Sequence, residues 1–237
     1  MEQKKNTLNR FLHHNMALIG GFLGGYAIIC RADFLGNAQT ANLIYLVLSI
    51  VGRNPLEVFL RFIALAIYFS AAMLYVFVRE KSRFNVKKTS LAIDCAAIIM
   101  LGLIPLSVSP IIGLFPIFFA MSFQWNAFPG SYGYNSSTIF STNNTRQVAV
   151  SLAEYLCNGD KMKIHKAVFF LGSIISFHIG VTLSYFATKY LGMYGIWVAL
   201  IFLIPARIMV YREEVLVSEY SEKTSIKSNV NPAVQSR

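Results

Sequence analysis

Polar side chains that could bind a ligand occur in two short clusters of an otherwise apolar chain. The first is Gln39-Thr40-Ala41-Asn42, and the second is Thr142-Asn143-Asn144-Thr145-Arg146; we call them the first and the second polar break. Their amide, hydroxyl and guanidinium groups either bind a polar or anionic solute at a helix N-terminus, or cap the helix and hydrogen-bond a neighbour. Arg146 either holds a carboxylate or phosphate bidentately or acts as a positive charge near a membrane surface.

Three further polar residues lie inside apolar segments. Gln124 and Asn126 stand near the end of one segment, where amides either contact a ligand or join two helices. His178 lies about a dozen residues into another segment. At that depth a histidine relays protons or binds a ligand, or it stays neutral and shares a hydrogen bond with Ser176 or Thr182.

Catalytic and metal-binding motifs are missing from the sequence. There is no Gly-x-Ser-x-Gly, no His-Glu-x-x-His and no P-loop. Cys30, Cys95 and Cys157 are scattered and lack the Cys-x-x-Cys spacing of metal or redox sites. We therefore expect no enzyme activity, no catalytic residue, no metal and no cofactor.

Composition places the chain in the lipid bilayer. The 237 residues are 55% hydrophobic and 14% charged, with a mean hydropathy of +0.53, whereas soluble domains carry about 25% charged residues. The net charge of +10 does not indicate nucleic-acid binding, because the basic residues cluster at the ends of apolar segments, where topology and anionic lipids explain them.

Eight apolar stretches organise the sequence, at 13–31, 41–52, 57–78, 90–107, 110–128, 146–157, 166–187 and 190–211. Six of them approach the ~20 residues that cross a bilayer. The stretches 41–52 and 146–157 are too short, which predicts re-entrant or interfacial helices. The fold class predicted is all-α: a polytopic membrane protein with about six transmembrane helices and two short ones.

Charge separates two topologies. If the short stretches do not cross, 17 of the 21 Lys and Arg residues share one side, and only Arg31, Arg53, Arg61 and Lys189 are opposite. If all eight cross, the split falls to 13 against 8. The positive-inside rule favours six spans with both termini cytoplasmic. We predict one transmembrane domain over 1–212 and a disordered cytoplasmic tail over 213–237.

Three spans and one short stretch fall in each half of the domain, at 13–107 and 110–211. An odd number of spans per half inverts the second half relative to the first, so the topology predicts a 3+3 inverted repeat, an architecture that transporters use. The pattern Thr-x-Asn recurs at a separation of 102 residues, at Thr40 and Thr142. Thr7-Leu8-Asn9 also fits the pattern, so the sequence leaves the repeat open.

The remaining charged and titratable residues have simpler expected roles. Asp94 stands a few residues into its span, where pairing with Lys87 or Lys88 or a place among the head groups explains it. Arg31 is expected to pair with Asp33 at the outer surface.

The polar breaks and their flanks resemble the YoaK-like family of uncharacterised bacterial multi-pass membrane proteins. The resemblance rests on Gly20–Tyr26, Phe34–Asn42, Phe123–Phe128 and Thr142–Arg146, and it covers roughly 15–211. That family shows a glycine-rich first helix with an aspartate, then Gln-Thr-Gly-Asn, and later Thr-Gly-Asn-Leu-Arg. The resemblance implies an architecture and a place for the site, but no reaction.

The chain departs from this family pattern at three positions. Gly24 stands where the family has its aspartate, and Ala41 and Asn143 replace the glycine of each Thr-Gly-Asn. Loss of an intramembrane carboxylate removes the expected proton or cation site. The sequence therefore predicts a small permease-like protein for an unidentified solute without an ion site at Gly24. The alternative is a non-transporting membrane protein that serves in assembly, sensing or envelope homeostasis.

Overall fold

The computed structural model describes residues 2–31 and 39–230, with the backbone alone for 221–230. The described part is almost entirely helical, which confirms the predicted all-α class. Its elements are α1 (Glu2–Cys30), α2 (Gln39–Val51), α3 (Pro55–Lys81), α4 (Val86–Leu103), α5 (Pro110–Gly113), α6 (Phe115–Ala127), β1 (Gly130–Ser131), β2 (Tyr134–Asn135), α7 (Thr142–Asn158), α8 (Lys161–Leu191), a 3₁₀ helix (Gly192–Val198) and α9 (Ala199–Val230).

Helices α2 and α7 are short because local signals end each of them and start the next helix. After α2, Arg53 takes a positive φ of 56°, and the Asn54 side chain accepts a hydrogen bond from the Glu57 amide to cap α3. After α7, Gly159 adopts the left-handed conformation and Asp160 caps α8. The two short helices therefore lie where the sequence predicted the stretches 41–52 and 146–157.

Helices α1, α4 and α8 run in the same direction. At one end of the bundle, Lys87 of α4 donates to Asn9 of α1, and near the other end Tyr26 donates to the Leu101 carbonyl. Helix α8 follows α1 in the same sense, since His14 meets the Phe169 carbonyl and Cβ-free Gly25 lies against Ser184. The core of the protein forms around α1 and α6, whose middle residues are buried.

Helices α3, α6 and α9 run in the opposite direction. Gln124 of α6 contacts Met16, whereas Gly113, just before α6, lies against Arg31 at the far end of α1. Trp197, just before α9, contacts Ile99 near the end of α4, while Glu213 pairs with Lys87 at its beginning. The four-residue connection 82–85 returns the chain from α3 into α4, so these two helices are antiparallel neighbours.

The short helices also run opposite to one another. Helix α2 packs antiparallel to α3, because Asn42 meets Arg61 while Ser49 bonds Asn54 at the connection. Helix α7 packs antiparallel to α8, and Lys163 pairs with Glu154 beside their connection. Since α3 and α8 have opposite directions, α2 and α7 do too.

Two features differ from the sequence predictions. A two-stranded hairpin, β1 paired with β2, follows α6, and its turn residues Tyr132 and Gly133 both have positive φ, as tight hairpin turns require. The tail was predicted to be disordered from residue 213, but α9 continues to Val230. Glu213 and Glu214, where this helical extension begins, pair with Lys87 and Lys88. Residues 231–237 lie outside the described residues.

Two helical stretches of the described residues are long and apolar enough to cross a membrane. They are Pro55–Lys81 and Lys161–Tyr220, and the second contains α8, the 3₁₀ helix and part of α9. By length and composition these stretches support a membrane location. The count of six spans stays a prediction.

Candidate functional site

The first polar break opens α2, and Asn42 is its buried member. Asn42 Nδ2 donates to Gln39 Oε1 over 3.0 Å and to the Arg61 carbonyl over 3.4 Å. Its Oδ1 accepts from Arg61 Nη1 over 3.4 Å. Gln39 is half-buried and Thr40 is exposed. Of the residues that carried the family resemblance, 34–38 lie outside the described part of the chain.

Arg61 brings a buried positive charge to the first polar break. Its side chain is 1% exposed, and Nε donates to Glu57 Oε1 over 2.9 Å. The guanidinium also lies 4.7 Å from the centre of the Tyr45 ring, a cation–π distance. The charge count placed Arg61 simply on the outer side, because no local pattern separates a buried arginine on a helix from an exposed one.

The second polar break is centred on Asn144, which is 2% exposed. Its Oδ1 accepts from Ser136 Oγ and from the Ser137 amide, both over 3.1 Å. Its Nδ2 donates to the Ser137 carbonyl over 2.8 Å. Asn144 therefore fixes the loop that enters α7 by bonding its backbone in both directions.

Gln124 joins the same network from α6. Its Nε2 donates to Thr138 Oγ1 over 3.0 Å and to the Met16 carbonyl over 3.2 Å. Gly20 of α1 permits this arrangement, because a Cβ there would overlap the Thr138 carbonyl oxygen. The structure thus brings together Gln124 and Asn144 through Ser136, Ser137 and Thr138, which we call the serine–threonine loop.

The other candidates of the second half lie apart from this network. Thr142 and Arg146 are exposed, and Arg146 Nη2 reaches only Asn143 Oδ1, over 3.4 Å. Asn126 donates to the Ser122 carbonyl of its own helix over 2.8 Å. These contacts are local to one helix and assign no ligand contact to the three residues.

His178 is exposed on α8 rather than shared between helices. Its Nδ1 lies 2.8 Å from the Ile174 carbonyl of the same helix. Thr182 does contact His178, but through its hydroxyl and the His178 backbone carbonyl. His178 therefore shares a hydrogen bond with Thr182 through its backbone, while its ring contacts the carbonyl one turn earlier on the helix.

A repeated pair of buried residues was missed in the sequence. The buried residues of α2 are Asn42 and Ser49, and those of α7 are Asn144 and Ser151. The two residues of each pair are seven positions apart. Asn144 follows Asn42 by 102 residues, and Ser151 follows Ser49 by the same number. The signal was present as Thr-x-Asn followed at the same spacing by serine, but a seven-residue spacing gains meaning only once both segments are known to be helical.

The structure contradicts the role predicted for Asp94. Asp94 does not pair with Lys87 or Lys88, because these lysines pair with Glu213 and Glu214 of α9; Asp94 is instead completely buried. Arg31, expected at the outer surface, has its side chain buried within the protein.

Arg31 is 1% exposed, and its guanidinium donates to the Ile104 carbonyl over 2.8 Å and to the Pro105 carbonyl over 3.0 Å. It satisfies the carbonyl end of α4, where a positive charge is favourable. Its predicted partner Asp33 lies outside the described residues.

The network offers amide and hydroxyl groups for hydrogen bonding. Within residues 2–31 and 39–230 no group of three His, Cys, Asp or Glu side chains is placed to hold a metal. Several buried polar atoms have no hydrogen-bond partner within the described residues, namely Gln39 Nε2 at the first polar break and Gln124 Oε1, Ser141 Oγ and Ser151 Oγ in the second half. Chemically, such amide and hydroxyl atoms can bind a polar solute.

Comparisons with known proteins identify a family and no activity. No curated protein matches the chain, and no solved structure matches it. The model of a family described as "Protein of unknown function (DUF1275)" matches residues 12–209, close to the range 15–211 over which the sequence resembled a family of uncharacterised proteins. The chain therefore belongs to the DUF1275 family.

Proposed function

We propose that this protein is a small permease-like membrane protein for a polar solute, built as a 3+3 inverted repeat with two re-entrant helices. One observation carries the proposal. Helices α2 and α7 run in opposite directions, and their buried residues are the matching pairs Asn42/Ser49 and Asn144/Ser151. Transporters commonly place their sites where such interrupted helices of two inverted halves begin.

The helix directions support six spans. Helices α1, α4 and α8 point one way, and α3, α6 and α9 point the other way. If α2 and α7 are re-entrant and do not cross the membrane, the six other helices alternate in direction along the chain. In that arrangement 17 of the 21 basic residues lie on the side of both termini, as the positive-inside rule favours for a cytoplasmic side. Large apolar side chains such as Phe59, Phe62 and Phe69 of α3 are more than 60% exposed, and lipid is the environment that suits them.

The polar breaks lie within the thickness of the bundle. Asn42 meets α3 at Arg61, six residues after Pro55, which corresponds to about 9 Å along the helix. Asn144 connects through Ser136 to Ser173, twelve residues into α8, or about 18 Å. Non-helical backbone is tolerated at membrane depth where it is buried in protein or lines a cavity.

The chemistry of the breaks favours a polar solute that accepts hydrogen bonds. Each short helix directs its N-terminal amides toward the interior of its half, and this end carries a partial positive charge. The buried guanidinium of Arg61, which is paired with Glu57, also lies at the first break. Unpartnered Gln39 Nε2 at the same break is a free donor within the described residues.

The alternative is a non-transporting protein of assembly, sensing or envelope homeostasis. Asn144 favours it, because all of its bonds go to Ser136 and Ser137 of its own chain. In that case the second break would be a packing device. Water access distinguishes the two functions, since a permease must expose both breaks to solution during its cycle.

Single cysteines at Thr40 and Thr142, in a background where Cys30, Cys95 and Cys157 are serine, provide the test. Val47→Cys, on the apolar surface of α2, is the matched control. The proposal predicts labelling of the two break cysteines by a small polar thiol reagent, weak labelling of the control, and protection by one compound from a metabolite panel. If both breaks are sealed under all conditions, the permease proposal fails.

A further inference from the structure

The side chain of Asp94 is completely buried in the helix bundle. Its exposed fraction is 0%, and neither carboxyl oxygen has a hydrogen-bond partner in the described structure. Ser90 lies one turn earlier on the same face of α4 and is also fully buried. Its hydroxyl stands near the carboxyl group, but the two do not reach hydrogen-bond geometry.

Asp94 lies deep in the bundle, away from the charged end of α4. It follows Val86 by eight residues, which is about 12 Å along the helix and near the middle of a ~30 Å apolar layer. The basic residues at the start of α4 are engaged elsewhere, Lys87 with Glu213 and Lys88 with Glu214. Among the described ion pairs none includes Asp94.

The neighbouring elements supply no described charge partner for this carboxyl group. Helix α6 has no titratable side chain, and Arg207 of α9 is exposed. The other titratable side chains on the helices around this core form no described ion pair with Asp94. His13 contacts the Phe128 carbonyl, Tyr26 contacts the Leu101 carbonyl, Tyr68 and Tyr75 lie on α3, and Tyr194 before α9 is exposed. An isolated carboxylate in such surroundings carries a large desolvation cost.

We propose that Asp94 is a proton-binding site: it holds a proton in the packed bundle and releases it when water enters beside α4. Opening breaks the carboxyl O–H bond and passes the proton to a water molecule; closing takes one proton back from water. The protein then has an intramembrane acid at Asp94, although Gly24 stands where the family has its aspartate. This inference rests on the proposed function in two respects: that α4 spans the membrane, and that proton binding is linked to solute movement.

Infrared spectroscopy of the purified full chain in lipid vesicles tests the protonation directly. The proposal predicts a protonated-carboxyl C=O band at neutral pH that is lost in Asp94→Asn and retained in Glu80→Gln, whose side chain is 56% exposed. If the band is missing from the unmodified protein, or persists in Asp94→Asn, Asp94 is not the protonated group and the inference is overturned.

The pH dependence of thermal unfolding gives a second readout. Because the packed state holds a proton that the unfolded chain releases, its stability should fall as pH rises from about 4, where an ordinary aspartate ionises. Asp94→Asn, which imitates the neutral acid, should lose this decline, and Asp94→Leu should lose it too. The same decline in all three proteins would contradict the proposal.

These outcomes are separable from the permease proposal. A protonated Asp94 combined with sealed polar breaks would leave the proton site standing and remove transport. Water access to the breaks combined with an ionised Asp94 would support the permease proposal and rule out the proton site.

Discussion

Asn144 holds Ser137 by two hydrogen bonds of opposite sense. The Ser137 amide donates to Asn144 Oδ1 over 3.1 Å, and Asn144 Nδ2 donates to the Ser137 carbonyl over 2.8 Å. A side-chain amide is suited to this role because it offers a donor and an acceptor together. Asn144 thus supplies the Ser137 amide and carbonyl with the hydrogen-bond partners that regular helical structure would otherwise provide.

Replacement of Asn144 by alanine should destabilise the protein. It leaves the Ser137 amide and carbonyl without partners in a buried loop, at a cost of about 2–4 kcal/mol. We expect a lower midpoint of unfolding in detergent. Asn144→Asp should also destabilise, because a carboxylate cannot donate to the Ser137 carbonyl. Thr142→Ala and Arg146→Ala, exposed residues of the same helix, are the controls; a loss as large in these variants would refute the assigned role of Asn144.

Arg61 and Glu57 should be energetically coupled. A double-mutant cycle with Arg61→Leu and Glu57→Gln isolates the pair. Since Glu57 is 32% exposed, the coupling should fall below the roughly 3–5 kcal/mol lost when a fully buried pair is broken. Arg61→Lys should not restore stability, because an ammonium cannot replace the fork that reaches both Glu57 and Asn42. Additive single effects would contradict the coupling.

Substitution of Gly20 by alanine should lower the stability of the protein more than the same substitution at Gly25. A Cβ on Gly20 would overlap the Thr138 carbonyl, whereas at Gly25 the nearest atoms are 3.2 Å away. Overpacking against backbone typically costs about 1–3 kcal/mol. Unfolding midpoints of Gly20→Ala and Gly25→Ala provide the comparison, and equal losses would show that the loop does not press on α1 as described.

The connection between α3 and α4 should be cytoplasmic. Reporter insertions within 82–85 test this prediction, and an insertion beside Arg53 serves as the opposite-side control. The six-span arrangement predicts a cytoplasmic signal at 82–85 and an external one at Arg53. The reason is that the basic residues around 82–85 favour the cytoplasmic side. An external signal at 82–85 would overturn the topology.

Helix content and the two short helices could be predicted because their signals are local. Gly52 to Pro55 ends α2, and Gly159 with Asp160 ends α7. The length of α9 could not be predicted, since the residues that hold its extension, Lys87 and Lys88, lie more than 120 residues earlier. Long-range pairing of this kind leaves no mark in a local window.

The candidate site could be located in part. Asn42, Asn144 and Gln124 were singled out by polarity in apolar segments, and all three are buried. Burial of Asp94 was missed, because its closeness to Lys87 in sequence suggested an ion pair that α9 in fact satisfies. A polar pattern indicates which side chains require partners, but the helix packing decides which partners they obtain.

Sided labelling of Thr40→Cys and Thr142→Cys tests the inverted pair of polar breaks most directly. The measurement uses a membrane-impermeant thiol reagent on right-side-out and inside-out vesicles of the cysteine-free background. The two threonines are 102 residues apart, at matching exposed positions of α2 and α7. We predict labelling of the first from the outside and of the second from the cytoplasmic side. Labelling of both from the same side would contradict the inverted arrangement.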